Sequence, residues 1–186
     1  GISDVQELNS LFTMIAYHSG MEFSYEIMAK ESGVKKDIIR KYIQYLESAF
    51  LIKIVTRTDD TAKRFQRQTT FKIYLTNPSL RCALFEPVKI IDGNIGDMIE
   101  TAIYSQWIPR NDHIAYANWK VGRTQGEVDL VGINDALQKP YWAVEIKWTD
   151  RFFDRPAELY SLKYFMEKNQ LQQALVTSIS QAGLKE

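Results

Sequence analysis

The chain of 186 residues carries 23 Lys and Arg against 23 Asp and Glu, so no global charge draws it to nucleic acid or acidic membranes. Its 45% apolar content supports a packed core, in one ordinary domain or two small ones. Cys82 as sole cysteine excludes an internal disulfide, two histidines disfavour a zinc site of His and Cys, and no apolar run approaches a membrane span.

Val5, Leu8, Phe12, Ile15 and Ala16 follow helical spacing and predict a first helix ending near Ser19-Gly20. Ser24 is placed to cap a short second helix from Tyr25 to about Glu31, and Gly33 to stop it. A third helix starts near Lys36 with Ile39, Tyr42, Ile43, Leu46 and Phe50 as its buried stripe. Leu51–Val55 and Phe71–Leu75 then read as a strand pair. Three helices and a two-stranded ribbon make a winged helix-turn-helix, assigned to residues 1–84. In that arrangement Lys35, Lys36, Arg40, Lys41 and Gln44 face outward from the third helix. Arg57, Lys63, Arg64, Arg67 and Gln68 lie in the loop between the strands. Together they form a local phosphate-binding footprint for double-stranded DNA. The alternative is a protein-docking face whose charges are merely solvated.

Thr76-Asn77-Pro78-Ser79 is a turn signal, and Pro87 with Asp92-Gly93 marks a soft boundary between 84 and 92. Residues 92–186 form the second domain. Ile95, Met98, Ile99, Ala102, Ile103 and Trp107 predict a helix with Glu100 at the edge of its stripe. Ile114–Trp119, the stretch around Glu127–Asp129, and Tyr141–Trp148 predict three antiparallel strands. A helix follows Pro156, and a last strand spans Leu171–Ser178. The order is αβββαβ, a mixed sheet closed by a crossover.

Chemistry concentrates on two of these strands. Alternation in Gly126-Glu127-Val128-Asp129-Leu130-Val131 and Val144-Glu145-Ile146-Lys147 buries Val128, Leu130, Val144 and Ile146. It gathers Glu127, Asp129, Glu145 and Lys147. Carboxylate oxygens suit a hard cation such as Mg2+ or Mn2+, and a neighbouring lysine orients or deprotonates a water. The competing reading is two amphipathic strands with solvated charges. His18 and His113 read as packing or surface residues and Cys82 as a buried thiol.

With Glu100 on the first helix, Asp129 on the second strand and Glu145-Ile146-Lys147 on the third, the αβββαβ order resembles the PD-(D/E)XK nuclease superfamily. The resemblance implies a restriction-endonuclease-like fold, metal held by Asp129 and Glu145, and Lys147 assisting the attacking water. Glu100 matches a frequent helix glutamate, and Glu127 is an additional carboxylate in the metal set. A wider resemblance joins the winged helix, Lys72-Ile73-Tyr74-Leu75-Thr76-Asn77-Pro78, Trp119-Lys120, Gly126-Glu127-Val128-Asp129 and Glu145-Ile146-Lys147. These segments are similar to the C-terminal region of bacterial and archaeal AAA+ ATP-binding proteins, though that family usually carries an aspartate at the position of Asn77. This implies that ATP and any homo-oligomer belong to an upstream domain, in a cytoplasmic protein. The chain has no G-x-x-x-x-G-K-[S/T] loop of its own and opens on Gly1, as expected of a fragment. A catalytically inactive DNA-binding, regulatory or protein-interaction module of the ATPase is the other function these segments imply.

Overall fold

The computed structural model describes residues 4–62, 69–90, 92–108 and 113–185. Among them are seven α-helices, one 3-10 turn and seven strands, a mixed α+β architecture. The chain forms two compact units, Gly1–Val55 with Gln68–Arg110, and Thr56–Arg67 with Asn111–Glu186.

In the first unit α1 (Val5–Tyr17) starts where Asp4 Oδ1 accepts from the N–H groups of Gln6 and Glu7. The expected cap opens α2 (Tyr25–Ser32): Ser24 Oγ accepts from Ile27 N at 3.1 Å. Gly33 ends α2 in the left-handed region, φ 72°, where any side chain would be strained. Helix α3 (Lys36–Ser48) buries Ile39, Tyr42, Ile43 and Leu46, as its spacing predicts, whereas Phe50 is 80% exposed. Strand β1 (Glu22–Phe23), which the sequence did not signal, pairs antiparallel with β3 (Phe71–Leu75). On its other side β3 borders β2 (Ile52–Thr58). Leu11, Ile15, Met28, Ile52, Ile73 and Leu75 share the core with the α3 stripe.

Two further helices follow, α4 (Ser79–Leu84) and α5 (Ile95–Trp107). The αβββαβ scheme assigns α5 to the second domain, beyond a boundary at 84–92. Its packing groups it with the first unit instead. The Tyr104 ring stacks on Tyr74 with centroids 4.3 Å apart, and Thr101 Oγ1 bonds Ser19 Oγ at 2.9 Å in the interior.

In the second unit, Thr56–Thr58 at the end of β2 pair in parallel with Ala115–Ala117 of β4 (His113–Val121). Next come β5 (Thr124–Asn134) and β6 (Lys139–Glu145), both antiparallel to their predecessors. A short α6 (Arg151–Asp154) and α7 (Tyr160–Asn169) lead to β7 (Leu175–Val176), parallel to β6. The expected βββαβ order and crossover are present, but the last strand is much shorter than its apolar run. Val128, Val131, Ile133, Ala143, Leu162 and Phe165 share the core.

Two irregularities shape the sheet. Ala115 faces Val131 while Ala117 faces Val128, so Tyr116 alone opposes Asp129 and Leu130: a β-bulge in β5. This breaks the strict alternation expected from the sequence and puts Val128 and Val131, three apart, in one core cluster. Further along, Trp142 covers Gly132 so closely that a Cβ there would lie 2.1 Å from the indole. Asp60 anchors residues 59–62 to α7. Its buried carboxylate takes bonds from Tyr164 Oη at 3.0 Å and from Lys168 Nζ, and Asn169 Nδ2 donates to its carbonyl at 2.9 Å.

Candidate active site and nucleic-acid interface

Asp129 sits in the bulge, where the extra residue re-aims side chains away from the regular pleat. One step beyond the pair Leu130↔Val144, it comes opposite Glu145, the last residue of β6. Its Oδ2 accepts from Ile146 N at 2.7 Å, which ties the bulge to the end of β6. Lys147 lies past the strand, and its Nζ is 2.6 Å from Glu145 Oε1. The side chains of Glu145 and Lys147 are 9% and 29% exposed.

Glu145 is the unusual group. Oε1 meets Lys147, but Oε2 is buried with no hydrogen-bond partner among the described residues. Burial pushes its carboxyl pKa up, the Lys147 ammonium pulls it down, and the Glu127 charge pushes it up again; the net direction is upward. Removal from water therefore outweighs the attraction of the lysine.

The position of Lys147 rests on a residue that no sequence motif singles out. Thr177 Oγ1 accepts from Lys147 N at 2.8 Å and donates to Lys147 O at 3.0 Å, while Thr177 N donates to Glu145 O at 3.0 Å. The parallel pair Glu145↔Val176 makes Thr177 the next residue along that ladder. Its only signal in sequence is its place one residue after an apolar strand.

Glu127 and Glu100 each have partners of their own. Glu127 Oε2 accepts from Asn118 Nδ2 at 3.1 Å, and its half-buried carboxylate is close enough to perturb Glu145. Glu100 belongs to the first unit, where Oε1 meets Lys72 Nζ at 3.0 Å and accepts from the Tyr74 hydroxyl. The Lys72 and Glu100 side chains are 6% and 16% exposed, a buried ion pair on β3 and α5. Among the described residues no group of three or more His, Cys, Asp and Glu side chains is gathered closely enough to hold a metal ion.

The predicted basic face is exposed on α3. Lys35, Lys36, Arg40, Lys41 and Gln44 all face solvent. Lys36 pairs with Glu26 at 2.7 Å and Arg40 with Asp37 at 3.0 Å, Arg40 also lying over the Tyr25 ring. Arg57 Nε donates to Asn118 O at 3.0 Å and so has a structural role in the second unit. Arg64 and Arg67, with Lys63 and Gln68, lie outside the described residues. His113 pairs with Asp135 at 3.1 Å, His18 contacts Met21 Sδ at 3.2 Å, and Cys82 is half-buried rather than fully buried.

A family model described as a domain of unknown function, DUF8612, matches residues 1–89, which include α3 and end before α5. No curated protein and no solved structure matches the chain. Among the described residues no helix is long and apolar enough to cross a membrane.

Proposed function

We propose that the second unit hydrolyses phosphodiesters with a divalent metal, as a PD-(D/E)XK-type nuclease, and that the first unit is a winged helix presenting duplex DNA. The observation that carries this reading is the unpartnered, buried Oε2 of Glu145, an acceptor whose desolvation a bound cation relieves as a proton does. Asp129 and Glu145 supply two hard oxygen donors. That set fits Mg2+ or Mn2+, since magnesium keeps several waters and takes one or two carboxylates. Asp129 and Glu145 would hold the ion, with Glu127 adding negative field beside them. Bound there, a metal supplies a water of lowered pKa and neutralises charge developing on phosphate.

The chain's own residues do the rest. Ile146 N holds Asp129 by one oxygen. Lys147, clamped through its backbone by Thr177, presents an ammonium beside Glu145 that orients water or stabilises the phosphate anion. The α3 face supplies phosphate contacts and releases counterions on binding. On the resemblance to AAA+ C-terminal regions, ATP binding and homo-oligomer formation belong to a separate domain, in a cytoplasmic setting. Glu100 is read as a structural partner of Lys72 and Tyr74 rather than a catalytic residue.

Plasmid DNA incubated with the chain and Mn2+ or Mg2+ tests this: nicking is expected, abolished by EDTA, by Asp129→Asn and by Glu145→Ala. Cleavage unchanged in both variants overturns it. A second reading, a non-catalytic DNA-binding or regulatory module, is favoured by the Glu145–Lys147 pair, which partly neutralises the site without metal. It predicts salt-dependent DNA binding and no nicking.

A further inference from the structure

Arg81, on α4 in the first unit, is 6% exposed, a rare degree of burial for a cation. Its guanidinium carbon lies 5.4 Å from the Tyr17 ring centroid and 5.6 Å from that of Phe85. Those two rings meet edge to face, 5.3 Å apart. Among the described residues its guanidinium makes no ion pair and no hydrogen bond. The aromatic faces stabilise part of the charge, yet they leave its N–H donors without an oxygen acceptor.

The side chain borders a pocket of about 290 Å³, also lined by Phe85, Glu86, Lys89, Asp92 and Asn94. Asp92 is already committed: its Oδ2 accepts from Lys89 N at 2.7 Å, and its own N donates to Lys89 O at 2.9 Å. This turn places Lys89 in the pocket wall, so two cations, Arg81 and Lys89, and two carboxylates, Glu86 and Asp92, line the cavity, and neither carboxylate pairs with Arg81.

We propose that this pocket binds a small molecule through an oxyanion, a carboxylate or a phosphate group, received by Arg81 with Lys89 as second cation. A guanidinium presents paired N–H donors in a rigid fork that matches two oxygens of such a group. The guanidinium nitrogens keep contact with solvent in the pocket, and a bound anion replaces that water with charge-assisted hydrogen bonds. The pocket belongs to the first unit, whereas Asp129 and Glu145 belong to the second, and the proposal does not depend on the nuclease reading.

The test is isothermal titration and thermal unfolding of the full chain with inorganic phosphate or acetate, against sodium chloride of equal ionic strength. One or both probes are expected to bind one-to-one and raise the unfolding midpoint. Phosphate alone assigns a phosphate ester, acetate alone a carboxylate. Arg81→Met should be at least as stable as the parent in chloride and unresponsive to either probe. Arg81→Lys, which keeps the charge and loses the fork, should weaken binding about tenfold or more. No response to either anion overturns the proposal, as does an unchanged response in Arg81→Lys. Loss of stability in chloride shared equally by Arg81→Met and Glu86→Gln also overturns it, because Glu86 is then the partner.

Discussion

Glu145→Gln should stabilise the metal-free protein, an unusual direction for a residue proposed to be catalytic. The amide keeps an oxygen for Lys147 and removes a charge whose burial outweighs its attraction to that lysine. A buried acceptor without a partner carries about 1–3 kcal/mol of desolvation. Because the amide's N–H2 needs an acceptor of its own, only part is recovered, about 1 kcal/mol, or roughly 2–4 °C in midpoint for a chain of this size. The pH dependence fixes the sign independently. With its folded pKa above the unfolded value, Glu145 binds more protons folded than unfolded. Its contribution is therefore present below the unfolded pKa and lost as pH rises through the folded one. Urea unfolding in EDTA across that window should show this loss in the parent and not in Glu145→Gln. With Mn2+ at about ten times its Kd the parent should gain about 1.4 kcal/mol and the variant nothing. A Glu145→Gln protein less stable than the parent in EDTA, yet equally stabilised by Mn2+, would refute the reasoning.

Three further outcomes follow from the same geometry. Arg40→Glu with Lys41→Glu should weaken duplex DNA binding for all sequences and flatten the log–log salt slope by about 2, measured by anisotropy titration. Glu100→Ala removes the carboxylate paired with the 6%-exposed Lys72 ammonium and should destabilise by about 3 kcal/mol in urea unfolding, with Lys72→Met recovering part of the loss. Thr177→Val keeps the side-chain shape and removes both hydroxyl bonds to Lys147. It should lower stability by about 1–2 kcal/mol and reduce plasmid nicking, while the Mn2+-induced rise in unfolding midpoint persists.

Where neighbours in sequence are neighbours in space, the elements were readable from the chain. The Ser24 cap, the Gly33 stop and the α3 stripe all appear where their chemistry requires. The pairing of β4, β5 and β6 was legible because short connections force antiparallel neighbours. The parallel pairing of β2 with β4 was not, since residues 56–58 and 115–117 carry no mutual signal. The bulge was equally hidden: strict alternation is the lowest-information reading of Gly126–Val131, and an extra residue leaves no compositional trace. Asp129, Glu145 and Lys147 were identified because charges on an apolar strand stand out, whereas a threonine acting through backbone bonds does not. Glu100 was singled out by its helix position, but Lys72 and Tyr74 of β3 occupy its carboxylate.

The bonds of Asp60 also set an order of events during synthesis. Its partners Tyr164, Lys168 and Asn169 lie 104 to 109 residues downstream. At about 5–20 residues per second, the ribosome delivers them roughly 5–20 s after Asp60 emerges. The helices and strands of the first unit up to β3 are complete well before then. Residues 59–62 therefore emerge long before their α7 partners, and α7 closes onto a segment made much earlier than itself. A chain halted before residue 160 leaves the Asp60 carboxylate without the tyrosine and lysine that make its burial tolerable, so the burial of Asp60 is a late reporter of a finished molecule.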